Sequence, residues 1–156
     1  MRIQTALIVV GFMLCTVVGW AAEAVAPPSF DINAQSAILV DGLTGQVLYE
    51  KNADLKLPPA SMAKIMTMLL IMEEVDSGRL KLTDEVKVSA RASQIGGSQV
   101  YLKQGEVFSV EDLMKAVTIH SANDASAAQA EHVSGAVEAF VDMMNRRAQE
   151  LGMVDT

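Results

Sequence analysis

The feature that constrains the fold most is an apolar run at positions 65–72. It reads Ile-Met-Thr-Met-Leu-Leu-Ile-Met, so Thr67 is its only polar side chain. A helix that is apolar on every face is typical of a buried position. Pro58 and Pro59 stand just before it, and because proline does not fit a helix interior, they predict a loop that leads into the helix. The run therefore predicts a helix that is buried on all sides.

Ser61 and Lys64 lie at the start of this helix, one turn apart and on the same face. A lysine is seldom buried without a partner or a function. Desolvation disfavours the ammonium form and lowers the pKa, so Lys64 could act as a neutral base. A serine hydroxyl is a weak nucleophile until a base activates it. The pair predicts a nucleophile with its base, whereas the simpler alternative is that both side chains only cap and solubilise the helix.

The first residues predict a secretory signal peptide over 1–24. Arg2 supplies a positive start, an apolar run reaches Trp20, and Ala22-Glu23-Ala24 has the spacing of a cleavage site. An uncleaved membrane anchor is the alternative, and both interpretations place the remaining residues, 25–156, outside the cytoplasm. Cys15 is the only cysteine and lies in this segment. The mature chain would then have no disulfide, thiolate nucleophile or cysteine metal site.

Charge and histidine content exclude further classes. The formal net charge is −7 and no basic patch is present, which argues against a nucleic acid partner. His120 and His132 are the only histidines, and two histidines twelve residues apart make a poor metal site. We expect no metal and no cofactor.

The remaining patterns predict an α+β domain with an antiparallel sheet and a helical cluster. Residues 36–41 and 46–50 form a hairpin around a turn in which Gly42 and Gly45 need positive φ. Residues 83–85 open a short extended stretch, 93–98 form a mobile loop, and 100–102 form a short strand. Ser109 and Asp112 form a capping box at a helix start. That helix breaks at 120–123, and two further helices follow on either side of Gly135. The few strands suggest an incomplete piece of a larger domain.

A second motif, Ser121-Ala122-Asn123, falls at the predicted helix break. Either motif alone is weak evidence, but a connection between two helices can project its side chains into a cleft. Ser-x-x-Lys and Ser-x-Asn are two of the three motifs of penicillin-binding proteins and serine β-lactamases. The chain most resembles the D-alanyl-D-alanine carboxypeptidases of low molecular mass. The likeness runs from about residue 32 to residue 153, with matching stretches at 37–41, 44–50, 52–54, 59–67, 111–114 and 121–125.

The resemblance implies a role for each motif residue. Ser61 would be the acylated nucleophile and Lys64 its general base. Ser121 would relay a proton to the leaving D-alanine, and Asn123 would hold Lys64 and contact the substrate amide. The substrate would be a peptidoglycan stem peptide ending in D-Ala-D-Ala, and β-lactam antibiotics would acylate the same serine. The resemblance also implies the transpeptidase fold of penicillin-binding proteins and a place in the periplasm or cell envelope.

The chain departs from the family pattern in one respect. The third motif, Lys-Thr-Gly, is absent, since the only Thr-Gly pair follows Leu43 and precedes the nucleophile. We therefore expect that residues 25–156 are an incomplete catalytic domain without its C-terminal strands and are inactive alone. Membrane attachment through a further C-terminal segment, as in family members, is a related expectation.

Two other functions stay open at this point. A serine β-lactamase shares both motifs, although it usually has Asp in the middle of the second and a glutamate in a Glu-x-x-Leu-Asn context. The glutamates that follow the second motif lack that context. A catalytically inactive protein that binds cell-envelope peptides is the other alternative, and the intact Ser-x-x-Lys motif disfavours it.

Overall fold

The computed structural model describes residues 32–153, which divide into a unit that ends at Leu55 and a unit that begins at Lys56. The predicted signal peptide and Cys15 lie outside the described residues. The first unit contains β1 (Ala37–Val40) and β2 (Val47–Lys51), which pair antiparallel with an irregularity between Leu39 and Val40. The predicted hairpin is confirmed.

The turn of this hairpin is organised by Asp41. Its carboxylate accepts hydrogen bonds from the hydroxyl and backbone N–H of Thr44 and from the backbone N–H of Leu43. These bonds lower the pKa of Asp41. Gly45 has φ +73° as predicted, but Gly42 does not have positive φ, so that part of the prediction is wrong. The Asp41 side chain already shapes the first half of the turn, and only its last residue needs the left-handed conformation.

The second unit combines helices with a small antiparallel pair of strands. The strands β3 (Glu85–Lys87) and β4 (Val107–Ser109) pair so that Val86 lies opposite Phe108. A 3₁₀ turn (Ala60–Met62) precedes the helices, which are α1 (Ala63–Asp76), α2 (Ala90–Ser93), α3 (Val110–His120), α4 (Asn123–Ser134) and α5 (Val137–Glu150). No helix among residues 32–153 is both long and apolar enough to cross a membrane.

Helix α4 lies at the centre of this unit because its side chains are small. The other four helices all pack against it. Its buried positions include four alanines, which let neighbouring backbones approach closely: Ala125, Ala127, Ala128 and Ala130. Phe140 of α5 and Ile71 of α1 fill the space around it. The first residues of α4 therefore lie in a well-packed setting.

Helix α1 forms where the apolar run predicts it, but it is not buried on all sides. Thr67, Leu70 and Ile71 are buried, whereas Ile65 is 65% exposed. Met62, just before the helix, is 66% exposed. The physical reason is that α1 packs against α4 and α5 along one side only within the described unit.

The junction of α3 and α4 follows the predicted pattern. Ser109 Oγ accepts from the backbone N–H of Asp112 at 3.0 Å and donates to its carboxylate at 2.7 Å, which confirms the cap. Helix α3 ends at His120, and Ser121 follows in the left-handed conformation with φ +53°. The predicted break between the two helices is confirmed.

The predicted strand at 100–102 is wrong. The backbone N–H groups of Val100 and Leu102 both donate to the buried carboxylate of Asp124, at 3.3 and 3.0 Å. Tyr101 between them has φ +60°. Two N–H groups that converge on one carboxylate are not available to a strand ladder, and the partner of β3 is β4 instead.

Asp124 gives the first testable prediction. Its carboxylate also accepts from the backbone N–H of Ala125 at 2.9 Å, so three N–H groups depend on it. In Asp124→Asn an amide N–H₂ faces one of these donors, and leaving a buried donor unpaired costs about 1–3 kcal/mol. We expect the free energy of unfolding in urea to fall by that amount. Asp142→Asn, at an exposed position on α5, serves as the control and should change it by less than about 0.5 kcal/mol. Equal unfolding midpoints for the two variants would contradict this account.

Candidate active site

The side-chain nitrogen of Lys64 joins the two sequence motifs. Lys64 Nζ lies 2.6 Å from Asn123 Oδ1 and 3.0 Å from Ser121 Oγ. It also lies 2.7 Å from the Ser121 carbonyl oxygen and 3.3 Å from Ser61 Oγ. The structure thus brings together all four residues that the sequence singled out. Their roles in catalysis stay predictions.

Ser61 is presented by the 3₁₀ turn that precedes α1. The turn starts with Ala60, whose φ of +49° is unusual for a residue other than glycine. The backbone N–H of Met62 donates to the carbonyl of Pro59 at 3.1 Å and closes the turn. Strained backbone of this kind costs about 1–3 kcal/mol and is concentrated at functional sites. The turn leaves Ser61 exposed, so a substrate can reach its hydroxyl.

Ser121 contributes two groups because of its backbone conformation. As the left-handed residue that ends α3, it directs both its carbonyl oxygen and its hydroxyl towards Lys64. Left-handed conformations are uncommon for residues other than glycine, asparagine and aspartate. The helix break that the sequence predicted is therefore part of the site, since an uninterrupted helix would use that carbonyl in its own hydrogen bonding.

Asn123 is oriented by the loop that follows α2. Its Nδ2 donates to the carbonyl of Gly96 at 2.7 Å, which leaves Oδ1 to face Lys64. Its backbone N–H donates to the carbonyl of Ser98, also at 2.7 Å. The sequence identified 93–98 as a loop but assigned it no part in the site. The adjacent glycines 96 and 97 were the signal that pointed to a close backbone approach; whether the loop is mobile stays a prediction.

The hydrogen bonds around Lys64 can be made by a neutral amine as well as by an ammonium. The Ser121 carbonyl and Asn123 Oδ1 can only accept, so they take two N–H groups whatever the protonation state. If Lys64 is an ammonium, its third N–H donates to the hydroxyl of Ser61 or Ser121. If it is a neutral amine, a lone pair occupies that position and accepts a hydrogen bond from one of these hydroxyls. The four contacting atoms carry no formal charge, and burial lowers the pKa of Lys64. The site is therefore suited to moving a proton between a serine hydroxyl and the amine.

No group of histidine, cysteine, aspartate and glutamate side chains within residues 32–153 could hold a metal ion. His120 stands at the end of α3 with an exposed side chain, and its backbone carbonyl accepts from Ser98 Oγ at 2.6 Å.

Comparison with known proteins identifies similar sequences and structures. The sequence model of a family described as D-alanyl-D-alanine carboxypeptidase matches residues 21–156. D-alanyl-D-alanine carboxypeptidase DacF of Bacillus subtilis is 51% identical over 123 residues, which are 79% of this chain and 32% of that protein. The chain thus spans about a third of that curated relative.

Solved structures agree with the sequence match. The crystal structure of D-alanyl-D-alanine carboxypeptidase DacD from Francisella tularensis superimposes with a TM-score of 0.81 and 36% identity, over 85% of this chain and 32% of that one. Penicillin-binding protein D2 from Listeria monocytogenes, in its ampicillin-bound form, gives 0.71 and 32% identity over 80% and 49% of the two chains. These likenesses confirm the predicted α+β fold class.

The environment of Lys64 predicts an unusual titration. We expect its pKa to lie below the ordinary lysine value of 10.5, because burial disfavours the ammonium. Lys115 should lie above 10.5, because Glu111 accepts a hydrogen bond from it and carries the opposite charge. NMR titration of isotope-labelled lysine side chains measures both, with Lys64→Arg and Lys115→Arg each removing one signal for assignment. Titration of Lys64 at or above Lys115 would contradict the proposed proton-accepting role.

Proposed function

Because the chain belongs to the D-alanyl-D-alanine carboxypeptidase family, we propose that Ser61 is an acylated nucleophile and Lys64 its general base. The observation that carries the proposal is the contact of Lys64 Nζ with Ser61 Oγ. The other hydrogen-bond partners of this nitrogen, which include the Ser121 carbonyl oxygen and Asn123 Oδ1, carry no formal charge. The proposal concerns the complete protein that carries these residues.

The proposed reaction begins with the neutral amine of Lys64. The proton of Ser61 moves to Lys64 Nζ while Ser61 Oγ attacks the carbonyl carbon between the two terminal D-alanines. The backbone N–H of Ser61 supplies one donor to the developing oxyanion. The proton then passes from Lys64 through the Ser121 hydroxyl to the leaving nitrogen, and the C–N bond breaks. Free D-alanine leaves and the shortened peptide stays esterified to Ser61 until water hydrolyses the ester.

The substrate we propose is a peptidoglycan stem peptide ending in D-Ala-D-Ala. Asn123 would contact its amide as well as hold Lys64. β-Lactam antibiotics would acylate Ser61 in the same way, since the amide of their ring is attacked by the same nucleophile. The ampicillin-bound form of the similar Listeria protein supports this step. We also propose that residues 1–24 are a signal peptide, that 25–156 belong to the catalytic domain, and that the protein acts in the cell envelope.

A serine β-lactamase is the second candidate, and two of the glutamates that follow the second motif, Glu138 and Glu150, weigh against it. Such an enzyme needs a glutamate that activates water beside the acylated serine. Glu138 instead pairs with Arg91, and this hydrogen-bonded partner lowers its pKa to about 2. Glu150 pairs with Arg147. Neither side chain is arranged as a base for Ser61. The intact contacts of Lys64 likewise argue against an inactive envelope-binding protein.

The nucleophile assignment predicts a single acylation site. After treatment of the complete protein with benzylpenicillin, intact-mass spectrometry should show one penicilloyl adduct, and Ser61→Ala should show none. Ser126→Ala is a suitable control, because this serine lies in α4 and donates to the carbonyl of Ala122; it should still be acylated. An adduct that persists in Ser61→Ala would refute the assignment.

The base assignment predicts that charge alone is not sufficient at Lys64. Lys64→Arg keeps the positive charge but cannot be deprotonated in a protein, so we expect acylation to fall by at least about a hundredfold, within the range usual for general-base catalysis. Lys115→Arg, at an exposed position on α3, should leave the rate unchanged. In the wild type the rate should rise with pH as Lys64 loses its proton. A near-normal rate in Lys64→Arg would show that another group takes the serine proton.

A further inference from the structure

We propose that Gly97 is a positioning residue for the acylation step, because the absence of its side chain leaves room for the amide of Asn123. This inference rests on the proposed function, since the group it positions is the one that holds Lys64. Among residues 32–153, Gly97 makes no hydrogen bond to Lys64 or Ser61, and it belongs to neither of the two motifs.

The space beside Gly97 is already occupied by Asn123. A Cβ added at Gly97 would lie 2.6 Å from Asn123 Nδ2 and 3.8 Å from its Cγ. An ordinary contact between such atoms is about 3.5 Å, so the amide would have to move by roughly 1 Å. Gly97 also has φ +87°, a conformation that residues with a side chain rarely adopt.

Hydrogen bonds hold the backbone that follows Gly97, so we expect the side chain of Asn123 to yield. Ser98 accepts from the backbone N–H of Asn123 at 2.7 Å and donates through its hydroxyl to the His120 carbonyl at 2.6 Å. A few residues further on, Asp124 holds the N–H groups of Val100 and Leu102. The backbone that follows Gly97 is thus tied to the residues around the start of α4, while the Gly96 carbonyl before it accepts from the Asn123 amide itself.

Displacing the Asn123 amide disturbs Lys64 directly. Asn123 Oδ1 makes the shortest of the four contacts to Lys64 Nζ, and its Nδ2 is held by the Gly96 carbonyl. The Ser121 carbonyl oxygen and Asn123 Oδ1 each take one N–H of Lys64, which leaves the third position of the nitrogen facing a serine hydroxyl. When the Asn123 amide moves, Lys64 loses one of these two acceptors. A misplacement of about 1 Å can cost a catalytic step roughly a hundredfold.

The chain offers a closely matched control for this effect. Gly105 also has φ +87°, but a Cβ there meets nothing within 4 Å. Gly97→Ala and Gly105→Ala therefore impose a similar backbone penalty, and both should lower the melting temperature. Gly97→Ala should lower it further, because its Cβ also meets the amide of Asn123. Only Gly97→Ala should slow acylation by benzylpenicillin, by about a hundredfold. Equal acylation rates in the two variants would overturn the proposal.

A double-mutant cycle separates this role from a general structural one. In an Asn123→Ala background the amide is gone, so adding Gly97→Ala should slow acylation no further. If Gly97→Ala alone fails to fold, the double variant should fold again, because the obstructing amide has been removed. A full additional loss in the double variant, or no recovery of folding, would show that Gly97 does not act through Asn123.

A spectroscopic measurement tests the contact without relying on activity. In the complete protein labelled with ¹⁵N-asparagine, Gly97→Ala should shift the side-chain amide signal of Asn123, and Gly105→Ala should leave it in place. An unshifted signal in Gly97→Ala would overturn the inference. If the wild type is not acylated by benzylpenicillin at all, the proposed function fails, whereas the amide signal still decides whether Gly97 positions Asn123.

Discussion

The structure of the site depends on the set of hydrogen bonds around one partly buried amine. Lys64 belongs to α1, but its acceptors come from the α3–α4 junction, 57 and 59 positions further along the chain. These acceptors are oxygens without formal charge, so they satisfy the N–H groups without the strong stabilisation that a carboxylate gives to an ammonium. Burial can then lower the pKa of the lysine. A carboxylate in the same place would bind Lys64 more strongly and make it a poor base.

The start of α4 connects this amine to the rest of the fold. Asn123 directs its amide to Lys64, and the next residue, Asp124, directs its carboxylate to the loop at 100–102. The same loop, a few residues earlier, supplies the Gly96 carbonyl that orients Asn123. Two adjacent side chains therefore fix both ends of one loop, and the small residues of α4 hold their common backbone against the other helices.

Local patterns in the sequence predicted what local interactions determine. The hairpin, the cap at Ser109, the break after His120 and the start of α1 all rest on neighbouring residues. The strand predicted at 100–102 was wrong because its composition favours a strand, while the interaction that overrides it comes from Asp124, more than twenty positions away. The burial of α1 was overestimated for a similar reason, since burial depends on what packs on each side of a helix. The four site residues were found from two short motifs. Neither motif includes the loop that orients Asn123, and adjacent glycines were its only signal in the sequence.

The left-handed conformation of Ser121 places two of its groups beside Lys64. Its carbonyl takes one N–H of Lys64, and its hydroxyl lies 3.0 Å from the same nitrogen, while Ser61 Oγ lies at 3.3 Å. In the proposed mechanism the amine would receive a proton from one hydroxyl and give it to the other without a change in the backbone. A helical residue at position 121 would turn its carbonyl into the helix and leave Lys64 with one acceptor fewer. The left-handed conformations of Ser121 and Ala60 are thus located where two serine hydroxyls lie beside one amine.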